Sequence, residues 1–245
     1  MLAAAKSRTF DNLFYLYNSR YLLQRNFRYV GAAGDLSPDE AAGRPILYVM
    51  NHSSWWDGLL AYHAARTLTQ RDHYFMMEEA QLKKYAFFRK IGAYSIDRHR
   101  SSSTAASLKY TASLLKGGGS VWMFPEGEIR RLGAAPLEFQ SGAGFVLRLC
   151  PEAAVVPVTL VHGLFLHSKP EAVLLAGPPI LKPWSELDRK TIAEMLQSAL
   201  QTQLDGHLHE VRQSENGLPA GCTPLIRTGQ SVNERYDAFR LRRAK

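Results

Sequence analysis

The apolar run Ile46-Leu47-Tyr48-Val49-Met50 passes directly into Asn51-His52-Ser53-Ser54-Trp55-Trp56-Asp57-Gly58. Five consecutive apolar residues before a polar cluster read as a strand followed by a helix start. A strand that hands over to a helix through a short loop is the building unit of an α/β domain. It places His52 and Asp57 at the C-terminal end of the strand, where open α/β sheets present ligand groups.

Outward from this unit, strand and helix signals alternate. Strands are expected at 46–50, 73–77, 93–97, 119–124, 154–161 and 172–176. Helical patterns cover 54–68, 79–90, 101–116, 142–150 and 188–211. Gly117-Gly118-Gly119 closes the third of these helices, where glycine takes the left-handed conformation that ends a helix. The expected fold class is α/β: a mixed, largely parallel sheet covered by helices. Residues 8–30 read as an amphipathic helix, with Phe10, Leu13, Phe14, Tyr17 and Tyr21 at helical spacing among Arg8, Arg20, Arg25 and Arg28. Such a helix either packs on its own domain or lies in a bilayer interface. The same choice applies to the aromatic and basic mixture between Tyr74 and Lys90. The expected organisation is an N-terminal helix over 1–30, a domain over 31–211 and a polar surface extension over 212–245 with a loose basic end, Arg240 to Lys245.

The chain has 245 residues, 46% hydrophobic and 21% charged, ample for one core. No apolar run approaches the roughly 18 residues of a membrane span, and the N-terminus lacks the apolar stretch of a signal peptide. Two isolated cysteines, Cys150 and Cys222, predict neither a disulfide framework nor a zinc ribbon, so a reducing cytosol is the expected compartment. The net charge of +8 favours anionic partners: nucleic acid, an anionic membrane or phosphorylated substrates.

On a continuous helix, positions five apart differ by about 140° in direction. His52 can therefore meet Asp57 only from the loop, with Ser53 or Ser54 capping the helix between them. The competing reading is a capping box, in which Asp57 reaches back to the amide of Ser54. Two more strand ends carry charge. Gly92-Ala93-Tyr94-Ser95-Ile96-Asp97-Arg98 is an apolar strand ending in Asp-Arg, and Phe124-Pro125-Glu126-Gly127-Glu128-Ile129-Arg130-Arg131 turns through Glu-Gly into two arginines.

In this order the segments resemble the phospholipid/glycerol acyltransferase family, which includes the lysophosphatidic acid acyltransferases. Asn51, His52 and Asp57 match its Asn-His-x-x-x-x-Asp block. Gly92, Ile96, Asp97 and Arg98 match its Gly-x-x-x-Ile-Asp-Arg block, and Phe124, Pro125, Glu126 and Gly127 its Phe-Pro-Glu-Gly block. Val155-Val156-Pro157-Val158 matches a last apolar block around proline. The resemblance implies transfer of a fatty acyl group from acyl-CoA or acyl-carrier protein to a lipid hydroxyl, with 1-acylglycerol-3-phosphate as first choice. His52 would act as general base and Asp57 would orient it. Amides at the helix start after His52 would serve as oxyanion donors. Arg98, Glu126, Gly127 and Arg130 would bind the acceptor. No metal or cofactor is implied beyond the acyl thioester, and the expected location is the cytoplasmic face of an anionic membrane, held peripherally.

The chain departs from the family where Glu-Gly-Thr-Arg becomes Glu126-Gly127-Glu128-Ile129, with Arg130 one place late, and where Ser141 stands before Gly142 in place of a cation. These changes point to an alternative acceptor without phosphate, such as a glycosylated or otherwise hydroxylated lipid. Three rival functions are a catalytically inactive membrane-binding relative, a nucleic-acid module and a zinc hydrolase. No nucleic-acid motif accompanies the charge, so a nucleic-acid partner is not expected. His162 and His167, or His207 and His209, lack a zinc-protease spacing.

Overall fold

Strand β2 (Ile46–Met50) is apolar on both faces and lies inside the molecule. Side chains alternate across a strand. Ile46, Tyr48 and Met50 therefore enter one core, and Leu47 and Val49 enter the other. The computed structural model describes residues 1–133, 136–164, 167–214, 218–219, 221–227 and 232–243. Around β2 the described strands are β1 (Tyr29–Ala33), β3 (His73–Glu78), β4 (Ala93–Ile96), β5 (Ser120–Met123), β6 (Ala154–Gly163), β7 (Glu171–Ala176) and β8 (Thr223–Pro224). They form one sheet in the order β4-β3-β5-β2-β6-β7-β1-β8. The run from β4 to β6 is parallel, β7 is antiparallel to β6 and parallel to β1, and β8 is antiparallel to β1. The expected mixed, largely parallel sheet is the one observed.

Helices cover both faces. On the side of Tyr48 lie α1 (Arg8–Tyr17), the short α2 (Gln24–Asn26) and α3 (Asp57–Leu68), with α4 (Glu79–Lys84) following β3. On the side of Leu47 lie α5 (Ser101–Lys116), α6 (Gly142–Leu149) and the start of α7 (Arg189–Gln213). Gly118 has φ of +84°, so the glycine run ends α5 as its composition predicts. Asp188 caps α7, its carboxylate accepting from the amides of Lys190 and Thr191.

Several elements differ from expectation. The helix over 8–30 ends at Asn26, and 29–33 is strand β1. Its small residues carry little strand signal, and the pairing with β7 decides the matter. Between α1 and α2 the backbone forms a π-helical stretch, Asn18–Leu23, that shifts the helical phase. The packed face becomes Phe14, Asn18, Leu23 and Phe27, and Leu13, Tyr17 and Tyr21 are left exposed. The side-chain amide of Asn18 donates to Leu59 O (3.2 Å), tying the π stretch to α3. The helix expected over 79–90 breaks at Tyr85 into α4 and a 3-10 turn, Ala86–Ile91. Within the expected surface extension, Thr223–Pro224 joins the sheet and Val232–Arg243 forms α8. The basic end from Arg240 to Arg243 is thus helical, and Ala244 and Lys245 lie outside the described residues.

One contact sets how closely the second layer packs. A Cβ at Gly144 would lie 2.3 Å from Arg189 O, because α6 crosses the first turn of α7 backbone to backbone. Gly144→Ala must push the helices apart. It is expected to cost about 1–3 kcal/mol, read as a lower urea midpoint with an unchanged m-value.

Candidate active site

The chain leaving β2 is held rigid for one more residue by Asn51. Its buried side-chain amide donates to Leu160 O (3.0 Å) and accepts from Leu160 N (2.8 Å), repeating a strand rung at the end of the β2–β6 pair. His52 begins where this extra rung ends.

Asp57, the first residue of α3, is fully buried. Its Oδ2 accepts from His52 Nδ1 (2.9 Å) and from the amides of Ser53 (2.6 Å) and Ser54 (2.8 Å). The Ser54 hydroxyl in turn accepts from the Trp56 amide (3.0 Å). The capping box and the His–Asp pair thus coexist, sharing one carboxylate oxygen. The helix starts at Asp57 and not at 54, because residues 53–56 form the turn that the carboxylate gathers. Within this turn the amides of Ser53, Ser54 and Trp56 are engaged by Asp57 and the Ser54 hydroxyl.

With Nδ1 donating to Asp57, the neutral imidazole of His52 carries its lone pair on Nε2. The ring stacks on Phe124, just past the end of β5 (centroids 4.4 Å apart, planes at 27°). Because β5 pairs directly with β2, the loops after these two strands are neighbours. The second loop grips the main chain of His52 from both sides. Glu126 Oε1 accepts from His52 N (2.8 Å), and Arg130 N donates to His52 O (2.8 Å).

Glu126 is almost wholly buried, and burial pushes its carboxyl above the usual range while the His52 amide pulls the other way. Gly127 has φ of +75°, and a Cβ there would fall 2.8 Å from an Arg98 guanidinium nitrogen. The positive φ favours glycine here, and the Arg98 side chain lies directly over this turn. The Arg130 side chain is already paired. It binds Glu138 (2.8 Å) and Glu128 (3.1 Å), which offset its charge.

The six residues expected from sequence therefore converge: His52 bonds to Asp57, Glu126 and the Arg130 main chain, and Arg98 packs on Gly127 beside them. A cavity of about 290 Å³ opens at this point, lined by His52, Ser53, Glu126, Arg130 and Arg131 and, on its apolar side, by Leu137 and Leu204. Sequence reading missed Glu138, whose role depends on a loop returning to Arg130, and the part played by His162. His162, in β6, contacts the Ser53 hydroxyl through Nε2 (3.2 Å), a pairing with no local spacing to reveal it.

A sheet that places a buried carboxylate and a partly exposed histidine at its C-terminal edge, beside a cavity lined by apolar and cationic groups, defines an α/β protein with a candidate proton-transfer pair. The family model described as Acyltransferase matches residues 25–161, more than half of the chain and all six of these residues. The chain belongs to this family, the glycerolipid acyltransferases that include lysophosphatidic acid acyltransferase-like proteins. No curated protein matches it significantly.

The burial of Glu126 has a consequence for pH. A carboxyl that holds its proton more tightly when folded than when unfolded makes the folded state lose stability as pH rises from the ordinary carboxylate range through its raised value. Glu126→Gln keeps an oxygen for the His52 amide and removes the ionisation. Relative to wild type, its melting temperature should therefore climb as pH rises above about 4, as followed by differential scanning calorimetry.

Proposed function

We propose that this acyltransferase moves a fatty acyl group from acyl-CoA or acyl-carrier protein to a hydroxyl of a lysophospholipid-like acceptor, 1-acylglycerol-3-phosphate first among them. The observation that carries the reading is the three-donor clamp of Asp57 Oδ2 on the His52 loop. It holds the ring in the tautomer a general base needs. His52 Nε2 takes the proton of the acceptor hydroxyl as its oxygen attacks the thioester carbon. The C–O bond forms, the tetrahedral intermediate collapses, the C–S bond breaks, and the imidazolium returns the proton to the departing thiolate. Asp57 stabilises the imidazolium between these steps. Arg98 and Arg131 are the cations left to meet an acceptor phosphate, and Glu126 accepts from the His52 amide to set the loop.

A second acceptor class is favoured by one observation. Arg130 is occupied by Glu128 and Glu138, so the mouth of the cavity offers less positive charge than its arginines promise. A glycosylated or otherwise uncharged hydroxylated lipid fits such a mouth.

Among the described residues no helix is long and apolar enough to cross a membrane. Peripheral attachment is supported by Leu13, Leu16, Tyr17 and Tyr21, exposed along the N-terminal helix, with Phe87 also exposed and the Arg25 guanidinium over the Tyr21 ring (4.0 Å). Packing on the domain and contact with a bilayer are compatible here, because Phe14 faces inward while these residues face out. Replacing Leu13, Tyr17 and Tyr21 by serine should abolish cosedimentation with anionic vesicles and leave the melting temperature within a few degrees of wild type. Undiminished cosedimentation would remove this part of the proposal.

The reaction is tested with purified protein, radiolabelled acyl-CoA and a panel of acceptors, with products identified by mass spectrometry. His52→Ala is expected to reduce transfer by at least about a thousandfold, the scale on which general base catalysis and its positioning act, without loss of folding. Formation of phosphatidic acid supports the first acceptor, and acylation of glycolipids alone supports the second. Full activity in His52→Ala, or vesicle binding by wild type with no transfer to any acceptor, would sink the catalytic reading in favour of a binding-only relative.

A further inference from the structure

At the opposite end of the strands from His52 lies a second cavity, of about 250 Å³, between the start of α1 and the start of β3. At about 30 Å³ per water it holds on the order of eight water volumes. That is room for a phosphate group and part of whatever carries it. Five of its lining side chains are cations: Lys6, Arg8, Arg66, Arg71 and Lys90. Only two are carboxylates, and both are occupied. Asp72 pairs with Lys6, and Asp11 pairs with Arg66 (2.9 Å) while accepting from the Tyr62 hydroxyl (2.7 Å).

Three cations are left uncompensated. Among the described residues Arg71 donates to neutral oxygens, those of Ser37, Arg44 and Ala41, and is held in place without losing its charge. Among the described residues Arg8 and Lys90 form no ion pair. Lys90 lies over the Phe10 ring (5.1 Å), at the side of the cavity where α1 meets the Ala86–Ile91 turn. The first turn of α1, capped by Ser7, adds the positive end of a helix dipole.

The cavity floor is a buried histidine. Trp122 Nε1 donates to His73 Nδ1 (3.2 Å), so the ring proton sits on Nε2 and goes to the Thr69 hydroxyl. Burial first, and then the charges of Lys6, Arg71 and Arg66 against the opposing charge of Asp72, push the His73 imidazole down to about 3. A neutral, fully hydrogen-bonded floor under uncompensated cations is the arrangement that receives an anion.

We infer that this cavity is a phosphate-binding site separate from the catalytic pocket, bridged by Arg8, Arg71 and Lys90. It would take the phosphate of a lipid head group or of a free phosphorylated molecule. The site joins three segments distant in sequence, so its occupant fixes the N-terminal helix to the sheet. The inference does not depend on the acyl-transfer reading, since none of these residues approaches His52.

The test is calorimetric titration of wild type, Arg98→Gln and the double variant Arg8→Gln/Lys90→Gln. The titrants are sodium phosphate, glycerol 3-phosphate and vesicles of phosphatidylglycerol in phosphatidylcholine. Arg71 is left intact because it also anchors the Ser37–Arg44 segment. Wild type should bind saturably, and Arg98→Gln, which removes a cation proposed for the acceptor phosphate, should keep the component of binding that belongs to this cavity. The double variant should bind about tenfold or more weakly, as expected for lost hydrogen bonds to a charged group. The charge-keeping variant Arg8→Lys/Lys90→Arg should bind like wild type and controls for folding. Binding of the soluble phosphates assigns a free ligand, and binding of vesicles alone assigns a head group. Either pattern supports the site when the double variant loses it. Equal affinity in the double variant and wild type, or no saturable binding of any titrant by wild type, overturns it.

Discussion

One oxygen atom organises the loop on which the proposed chemistry depends. Asp57 Oδ2 gathers the His52 ring and the amides of Ser53 and Ser54, in a place from which water is excluded. Three donors would otherwise lie at the edge of a buried core, each costing about 1–3 kcal/mol if left unmade. The loop therefore has little choice of conformation: it closes on the carboxylate, and closing delivers the imidazole with Nε2 outward. Helix capping and ring orientation are two consequences of the same set of hydrogen bonds.

The platform beneath that loop is equally constrained. Asn51 prolongs the β2–β6 ladder by a rung, and the main chain of His52 is bracketed by Glu126 and Arg130 from the loop after β5. A group positioned through its backbone by two neighbouring strands holds its place more closely than one carried on a free loop. Burying the Glu126 carboxylate is costly, which is why its carboxyl is pushed upward. The cost is partly offset by the His52 amide that it accepts. The structure spends stability at the point where it gains placement.

Much of this was legible in sequence, for reasons that can be named. Strands β2, β3, β5 and β6 are apolar runs whose burial needs no partner to be known in advance. The His52–Asp57 pair spans five residues, so a local turn suffices to bring it together. Arg98, Glu126, Gly127 and Arg130 each follow a strand of the parallel sheet, which predicts one shared edge. Illegible features depend on distant contacts. Gly31, Ala32 and Ala33 become strand because β7, and on the other side β8, offer paired edges. The π-helical stretch that turns Tyr17 and Tyr21 outward is bound to α3 through Asn18. The destination of the Arg130 side chain was hidden too, since Glu138 returns to it only after the intervening loop is built.

The net charge of +8 acquires a location from these contacts. At the mouth near His52, Arg130 is offset by Glu128 and Glu138, and Glu126 lies beneath it. At the far end of the strands, Arg8, Arg71 and Lys90 face a cavity whose two carboxylates already have partners. Attraction for anions is therefore weakened where the proposed reaction deprotonates a hydroxyl and retained at the far end of the strands. The division is chemically coherent. Cations crowded around His52 would resist formation of the imidazolium on which acid–base catalysis depends, whereas at the opposite edge of the sheet the same charges are free to hold a phosphate.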